Sequence, residues 1–241
     1  MATSSDTKTS KGTSTESNNG LAKGGSKGQT WTSLQLTKDD ILNDYRIAYR
    51  SRQASLLGRR EVLTGKAKFG IFGDGKELPQ VAMARSAKPG DVRAGYYRDQ
   101  TFMMACGLTD VQKFFAQLYA DANTEREPSS AGRQMNAHYS TRMLDDDGEW
   151  LDLTQRVQSS ADGSPTASQM PRMVGLAQAS KLYRNLESLQ TENFEKFSNK
   201  GHEICFGTIG DASTSEGLFW ETMNAVGVLQ VPLLMSVWDD N

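Results

Sequence analysis

The chain has 241 residues, enough for one large domain or two small ones, and a formal net charge of −2 from 27 Lys and Arg against 29 Asp and Glu. That balance gives no global electrostatic basis for binding nucleic acid, and no apolar run reaches the length of a membrane span. With two histidines and two cysteines no His/Cys cluster for zinc can be assembled, so any metal here would be held by oxygen.

Residues 1–34 are almost all Ser, Thr, Gly, Lys and Asn, too poor in apolar surface to offset the ordering of their backbone, and are expected to be a disordered tail. The tail has no apolar core of a secretory signal. Asp6 and Glu16, without any Arg, speak against a mitochondrial transit peptide. The expected compartment is the cytoplasm, with Cys106 and Cys205 as free thiols. A domain over 35–241 follows. Thr37 as N-cap and Asp at the first turn open a helix running through Leu63. A glycine-rich loop, "TGKAKFGIFGDGKE", leads to a second helix near Leu78–Ala87, stopped by "KPGD". "VRAGYY" reads as a short strand with Arg98–Asp99–Gln100 at its end, and a helix is expected over about Asp110–Asp121.

Between Ala122 and Asp162 the pattern is irregular, and irregular segments of that length inside a domain are usually binding surfaces. A helix resumes near Ala167. "SNKGHEICFGTIGD" supplies a strand, "SEGLFWETMNAVGVLQ" a helix with Ser213 and Glu216 spaced as a capping box, and "VPLLMSVWDDN" a further strand. Strand, helix and strand make a right-handed parallel crossover, and the continuous apolar run "PLLMSVW" predicts a strand covered on both faces. The fold class is α/β.

In such a unit Asp211 and Asp240 fall at carboxyl ends of parallel strands, where open α/β sheets bind their ligands. Two strand-end carboxylates without nearby His or Cys suit Mg²⁺ or Ca²⁺, and Mg²⁺ commonly shares its coordination with phosphate oxygens. The amides of Ala212 and Ser213 at a helix start are natural anion donors. The residue pattern leaves open that Asp211 and Ser213 only cap the helix.

"GDASTSEGLFWETMNAVGVLQVPLLMSVWDDN" resembles the thiamine-diphosphate motif, Gly-Asp-Gly followed about thirty residues later by Asn-Asn. With "YYRDQ", "GRQMNAHYS" and "SPTASQMP", four separated blocks resemble the α subunit of 2-oxo acid dehydrogenases, most closely the branched-chain type, over about residues 38–241. The resemblance implies a parallel-sheet thiamine-diphosphate-binding fold and oxidative decarboxylation with acyl transfer to a lipoyl arm. Pyruvate- or acetoin-type relatives, or a non-catalytic binding module, are the alternatives. It implies Mg²⁺ ligation by Asp211 and Asp240, and diphosphate contacts from Gly210, the Ala212 and Ser213 amides, and Arg98. Tyr97 would line the thiamine, Ser164 and Thr166 would touch the aminopyrimidine, and His138 would face the reacting region. Ser168 and Gln169 match a loop that holds potassium in some members. Three departures stand out: Ala212 for the usual Gly, Thr166 for a bulkier residue, and Asp240 for Asn. Implied partners are a β subunit or fused β half, which supplies the activating glutamate, a lipoyl-bearing acyltransferase and a 2-oxo acid. Because the chain stops within the motif, an incomplete domain, truncated at the C-terminus and inactive alone, is expected.

Overall fold

Thr37 opens helix α1 (Lys38–Leu63) through a capping box: its hydroxyl accepts the Asp40 amide at 3.1 Å, and the Asp40 carboxylate accepts the Thr37 amide at 2.9 Å. The computed structural model describes residues 36–239, so the expectations for residues 1–34 and for Asp240 lie outside the described residues. Helix α2 (Glu77–Ser86) ends at the "KPGD" turn, which Gly90 makes at φ 93°. Helix α3 (Gln100–Ala105) and helix α4 (Val111–Leu118) follow, the latter capped by the Asp110 side chain on the Lys113 amide at 2.9 Å. Helix α5 (Gln169–Asn185), the short α6 (Phe194–Phe197) and α7 (Gly217–Leu229) complete the helices used below. Among the described residues no helix is long and apolar enough to cross a membrane.

Four parallel strands form one sheet in the order β2-β1-β3-β4: β1 (Val92–Ala94), β2 (Gln158–Ser159), β3 (Cys205–Gly210) and β4 (Leu233–Trp238). Val92 pairs with Gln158 on one side and Cys205 on the other, and β3 runs in register with β4 from Cys205–Leu233 to Gly210–Trp238. The crossover β3–α7–β4 is the parallel unit expected from the apolar pattern. Helix α5 lies on the sheet so closely that a Cβ on Gly207 would fall 2.5 Å from the Met173 sulfur. Met170, Met173, Ala177, Ile209 and Phe219 fill that interface. A second core gathers Phe102, Met103, Tyr139 and Val157, with Cys106 packed against it. Both cysteines are unpaired, and burial pushes each thiol up to about 12.

Three local expectations are corrected. The first strand stops at Ala94, because the chain must turn at Gly95 to bring Asp99 back beneath it, and a 3₁₀ turn over Tyr97–Asp99 runs directly into α3. Strand β4 is not covered on both faces: Leu234 and Val237 are 40% and 45% exposed. Among the described residues β4 is the edge of the sheet, so its apolar run exceeds what α5 and α7 can shield. The third correction, at Ser213 and Glu216, belongs to the site below.

Beneath the strand ends lies a fully buried guanidinium, Arg93. Its Nε donates to Asp99 at 2.7 Å, Nη1 to Ser159 at 2.8 Å and Asp162 at 2.9 Å, and Nη2 to the Tyr96 carbonyl at 2.9 Å and Asp162 at 3.1 Å. All five donors are therefore used. Asp99 also accepts the Thr208 hydroxyl at 2.5 Å and the Trp238 indole N–H at 3.1 Å. Burial opposes the charge on Arg93, but Asp162 and Asp99 outweigh it and raise its pKa. Burial pushes Asp162 up to about 6 against the pull of Arg93.

Gly95 is the residue this network cannot enlarge. A Cβ there would lie inside the Asp99 carboxylate and 2.5 Å from the Thr208 hydroxyl. Gly175, in the exposed face of α5, meets nothing within 4 Å. Gly95→Ala should therefore cost several kcal/mol, in the range of about 3–5 for breaking a buried charge pair. Gly175→Ala should gain about 0.5–1 kcal/mol from helix propensity. Denaturant melts of both variants check the contrast, and equal effects would contradict it.

Candidate functional site

The carboxyl ends of β1 and β3, with the loop between β2 and α5, enclose a cavity of about 390 Å³. At the end of β3, Gly210 pairs with Trp238, and the Asp211 amide donates to the Trp238 carbonyl at 3.2 Å. Next, Ala212–Ser215 form a 3₁₀ turn, stitched by the Thr214 amide and hydroxyl on the Asp211 carbonyl at 3.0 and 2.6 Å. The capping box expected from Ser213 and Glu216 does not form. Ser213 sits inside the 3₁₀ turn, so its carbonyl takes the Glu216 amide at 3.2 Å, and α7 starts only at Gly217. As the first residues of a helical turn, Ala212 and Ser213 have amides that find no acceptor within it. The Asp211 side chain is exposed at the cavity's rim. Gly210 has no positive φ, and a Cβ there would reach Tyr96 Oη at 3.3 Å, a tight but adjustable contact.

The opposite wall is the turn after β1. Arg98 donates through Nε to Tyr96 Oη at 3.1 Å and through Nη2 to Tyr97 Oη at 2.9 Å, and lies over both rings at 6.0 and 5.3 Å. Gln80 on α2 holds this turn in place, donating to the Arg98 carbonyl at 2.6 Å and accepting the Phe102 amide at 2.9 Å. The glycine-rich loop presses on the same backbone: a Cβ on Gly73 would come 2.8 Å from Arg98 Cα.

The third wall carries Ser164 and Thr166, both exposed toward the cavity, and buried His138. His138 Nδ1 is 3.3 Å from the Asn136 carbonyl, and Nε2 is 3.0 Å from the Ser164 hydroxyl. A carbonyl can only accept, so Nδ1 carries the proton and Nε2 accepts from Ser164. Burial lowers the imidazole pKa, with Arg93 adding to that and the Asn136 bond opposing it. The ring is therefore neutral near pH 7, with its Nε2 lone pair turned to the cavity wall. Next along, Ser168 Oγ is buried without a hydrogen-bond partner among the described residues, while Gln169 donates to the Thr208 carbonyl at 2.9 Å.

Tyr97, Arg98, His138, Ser164, Thr166 and the run Gly210–Ser213 thus all border one cavity. Asp240 lies outside the described residues, one position beyond exposed Asp239. Sequence reasoning missed the residues that hold these loops. Gln117 on α4 clamps the His138 main chain from both sides, donating to its carbonyl at 2.6 Å and accepting its amide at 3.3 Å. Asn136 does the same for Ile71, at 2.6 and 2.9 Å. A carboxamide inside an apolar stretch such as "FFAQL" is the signal that was available. Phe69, Ile71 and Met135, which add an apolar side to the cavity, were also missed.

Parallel strands, a polar turn after β3 and an arginine at the end of β1 make this an α/β domain of the thiamine-diphosphate-binding fold. Residues 52–239 match the family described as dehydrogenase E1 component, and the chain belongs to that family. It is similar to 2-oxoisovalerate dehydrogenase subunit alpha 1, mitochondrial, of Arabidopsis thaliana, at 24% identity over 170 residues, 70% of this chain and 29% of that protein. Subunit alpha 2 of the same organism is 25% identical over 171 residues, again 70% and 29%. The chain spans less than a third of the length of these relatives.

The tautomer and pKa of His138 can be read directly. Its folded pKa lies below the unfolded value of about 6.5, so its neutral form contributes stability above about pH 6.5 that is lost as pH falls toward the folded pKa. Imidazole carbon NMR should give a midpoint below about 6.5, and Ser164→Ala should move it upward by removing the donor on Nε2. A midpoint above 6.5, unmoved in Ser164→Ala, would overturn this assignment.

Proposed function

We propose that this chain is the α-type, diphosphate-binding part of a thiamine-diphosphate-dependent 2-oxo acid dehydrogenase that acts on a branched-chain 2-oxo acid and passes the acyl group to a lipoyl-bearing acyltransferase. The observation that carries this reading is the meeting, in one cavity, of residues drawn from four separated sequence blocks. The names of the Arabidopsis relatives support the branched-chain substrate. The two unpaired thiols support a reducing compartment, which we take to be the cytoplasm.

The residues present fit the cofactor. Arg98 is a planar, multiply donating cation for a diphosphate, and the amides of Ala212 and Ser213, which find no acceptor within their own turn, are donors on the facing wall. Asp211, with Asp240, would hold Mg²⁺. Among the described residues no three His, Cys, Asp or Glu side chains converge on a metal position, so phosphate oxygens would complete its coordination. Ser164 and Thr166 would touch the aminopyrimidine, and Tyr97 would line the thiamine. The orphaned Ser168 oxygen supports a potassium ion beside Gln169. When bound, thiamine diphosphate supplies the electron sink for decarboxylation.

The protein's own part is binding, orientation and proton placement. Neutral His138 can take a proton at Nε2, and Ser164 fixes the direction of that lone pair. The apolar side made by Phe69, Ile71 and Met135 limits water near the reacting region. The carboxylate that activates the aminopyrimidine belongs to the β subunit or fused β half, so residues 1–241 alone should show no turnover.

Calorimetry on the protein complemented with its β half tests the reading. Thiamine diphosphate should bind with Mg²⁺ and not with EDTA, and Arg98→Ala should weaken binding roughly 10- to 100-fold, the cost of a charge-assisted hydrogen bond. Unchanged affinity in EDTA would remove the metal role of Asp211. Normal affinity with a large fall in apo melting temperature would make Arg98 a residue of the fold alone.

A further inference from the structure

A second cavity, of about 170 Å³, lies at the other end of the sheet, between the amino ends of β1, β2 and β3 and the C-terminal half of α5. Its apolar walls are Val92, Met143, Leu153, Leu176, Ala179 and Phe197. Phe197 is braced edge-to-face by Trp150 at 4.7 Å.

Four buried polar side chains also reach the cavity, and each is already engaged by the protein. Gln158 donates to the Leu153 and Arg156 carbonyls at 2.8 and 3.3 Å and accepts from the Thr141 hydroxyl at 2.9 Å. Ser160 donates to the Arg93 carbonyl at 3.2 Å, and Ser180 to the Glu203 carbonyl at 2.7 Å. The Glu203 carboxylate accepts from the Ser198 hydroxyl at 2.9 Å, the Ser180 hydroxyl at 3.3 Å and the Asn199 amide. Each of these groups already makes a hydrogen bond within the protein, and the apolar walls offer a water no partner. The buried Glu203 carboxylate, with Asp91 behind it on the Ile204 and Lys88 amides, also disfavours any anion. Small, walled mainly by apolar side chains and unfavourable to negative charge, the cavity suits one chemistry: an apolar cavity of about 150 Å³ can take up benzene or xenon.

We propose that this cavity is a binding site for a small uncharged apolar molecule of the size of benzene, separate from the strand-end site and independent of the cofactor reading above. It is too small for a diphosphate-bearing ligand, and Glu203 turns away the carboxylate of a 2-oxo acid.

The test is a benzene titration of the full chain without thiamine diphosphate, so that its outcome does not depend on the cofactor assignment. Carbon-13 methyl NMR should show saturable shifts confined to Met143, Leu153, Leu176, Ala179 and Val92, with half-saturation on the order of 1 mM, and the melting temperature should rise with benzene. Propionate, of similar size but charged, should shift none of these methyls. Ala179→Leu should fill the cavity and abolish the benzene response. Shifts spread over the whole chain, a response to propionate equal to that to benzene, or full benzene binding in Ala179→Leu would each overturn the proposal. Should that variant fail to fold, the comparison of benzene with propionate on the unaltered chain decides alone.

Discussion

Everything at the carboxyl ends of the strands hangs on one buried guanidinium. Arg93 stands on β1, and its network reaches Ser159 on β2, Thr208 on β3 and, through Asp99, Trp238 on β4. A buried ion pair contributes little net stability compared with apolar packing, yet losing one partner is costly because the other charge is left without compensation. Here one cation faces two carboxylates, and complete burial drives Asp162 upward, with a smaller push from Asp99, against the pull of Arg93 and the Tyr139 amide. What the network supplies is position. It fixes the Tyr96 carbonyl, and Asp162 accepts the Tyr139 amide at 3.0 Å beside His138. Two walls of the cavity are thereby tied to the sheet by one side chain.

The remaining walls are built from irregular backbone, whose polar groups must be paired when buried. Carboxamides perform that pairing. Gln80, Gln117 and Asn136 each hold main-chain groups of a neighbouring segment, two of them by both the carbonyl and the amide of one residue, as a strand partner would. Buried Glu127 does similar work, taking the amides of Ser129, Ser130 and Gly132 at 2.9–3.0 Å ahead of the His138 segment. A long loop region can thus carry a defined site without regular secondary structure. A lost clamp would loosen the geometry of the site before it unfolded the sheet.

The sequence was legible where structure is local. Periodicity and capping chemistry placed α1, and the crossover β3–α7–β4 followed from apolar runs and their spacing. That spacing put Asp211 at a strand tip, and the in-register pairing of Gly210 with Trp238 brings the chain after Trp238 to the same edge. It was illegible where a distant contact decides. Nothing local in "VRAGYY" says that the strand ends at Ala94, because the reason is the Asp99 carboxylate packed against Gly95. Strand β2, two residues long, has no period to detect. The Ser213–Glu216 spacing suited a capping box, but spacing cannot tell a 3₁₀ turn from the first turn of an α-helix. Gln117 lies in an apolar helix face, and only the fold shows that its partner is His138.

The two ends of the sheet show how a parallel architecture separates chemistry from support. At the carboxyl ends the strands run into turns whose leading amides find no acceptor within the turn, and side chains such as Arg98 and Asp211 reach a cavity open to a polar ligand. At the amino ends the chain arrives from loops whose carboxylates are already paired within the protein: Asp91 with the Lys88 and Ile204 amides, and Glu203 with Ser198 and Asn199. The same helix, α5, borders both, with Gln169 at one end and Ala179, Ser180 and Tyr183 at the other. Its first turn lies beside polar groups that a ligand could engage, and its last turns lie against satisfied or apolar ones. The direction of the strands, fixed by three parallel pairings around Arg93, therefore determines which end can recognise charge and which end is left with apolar walls.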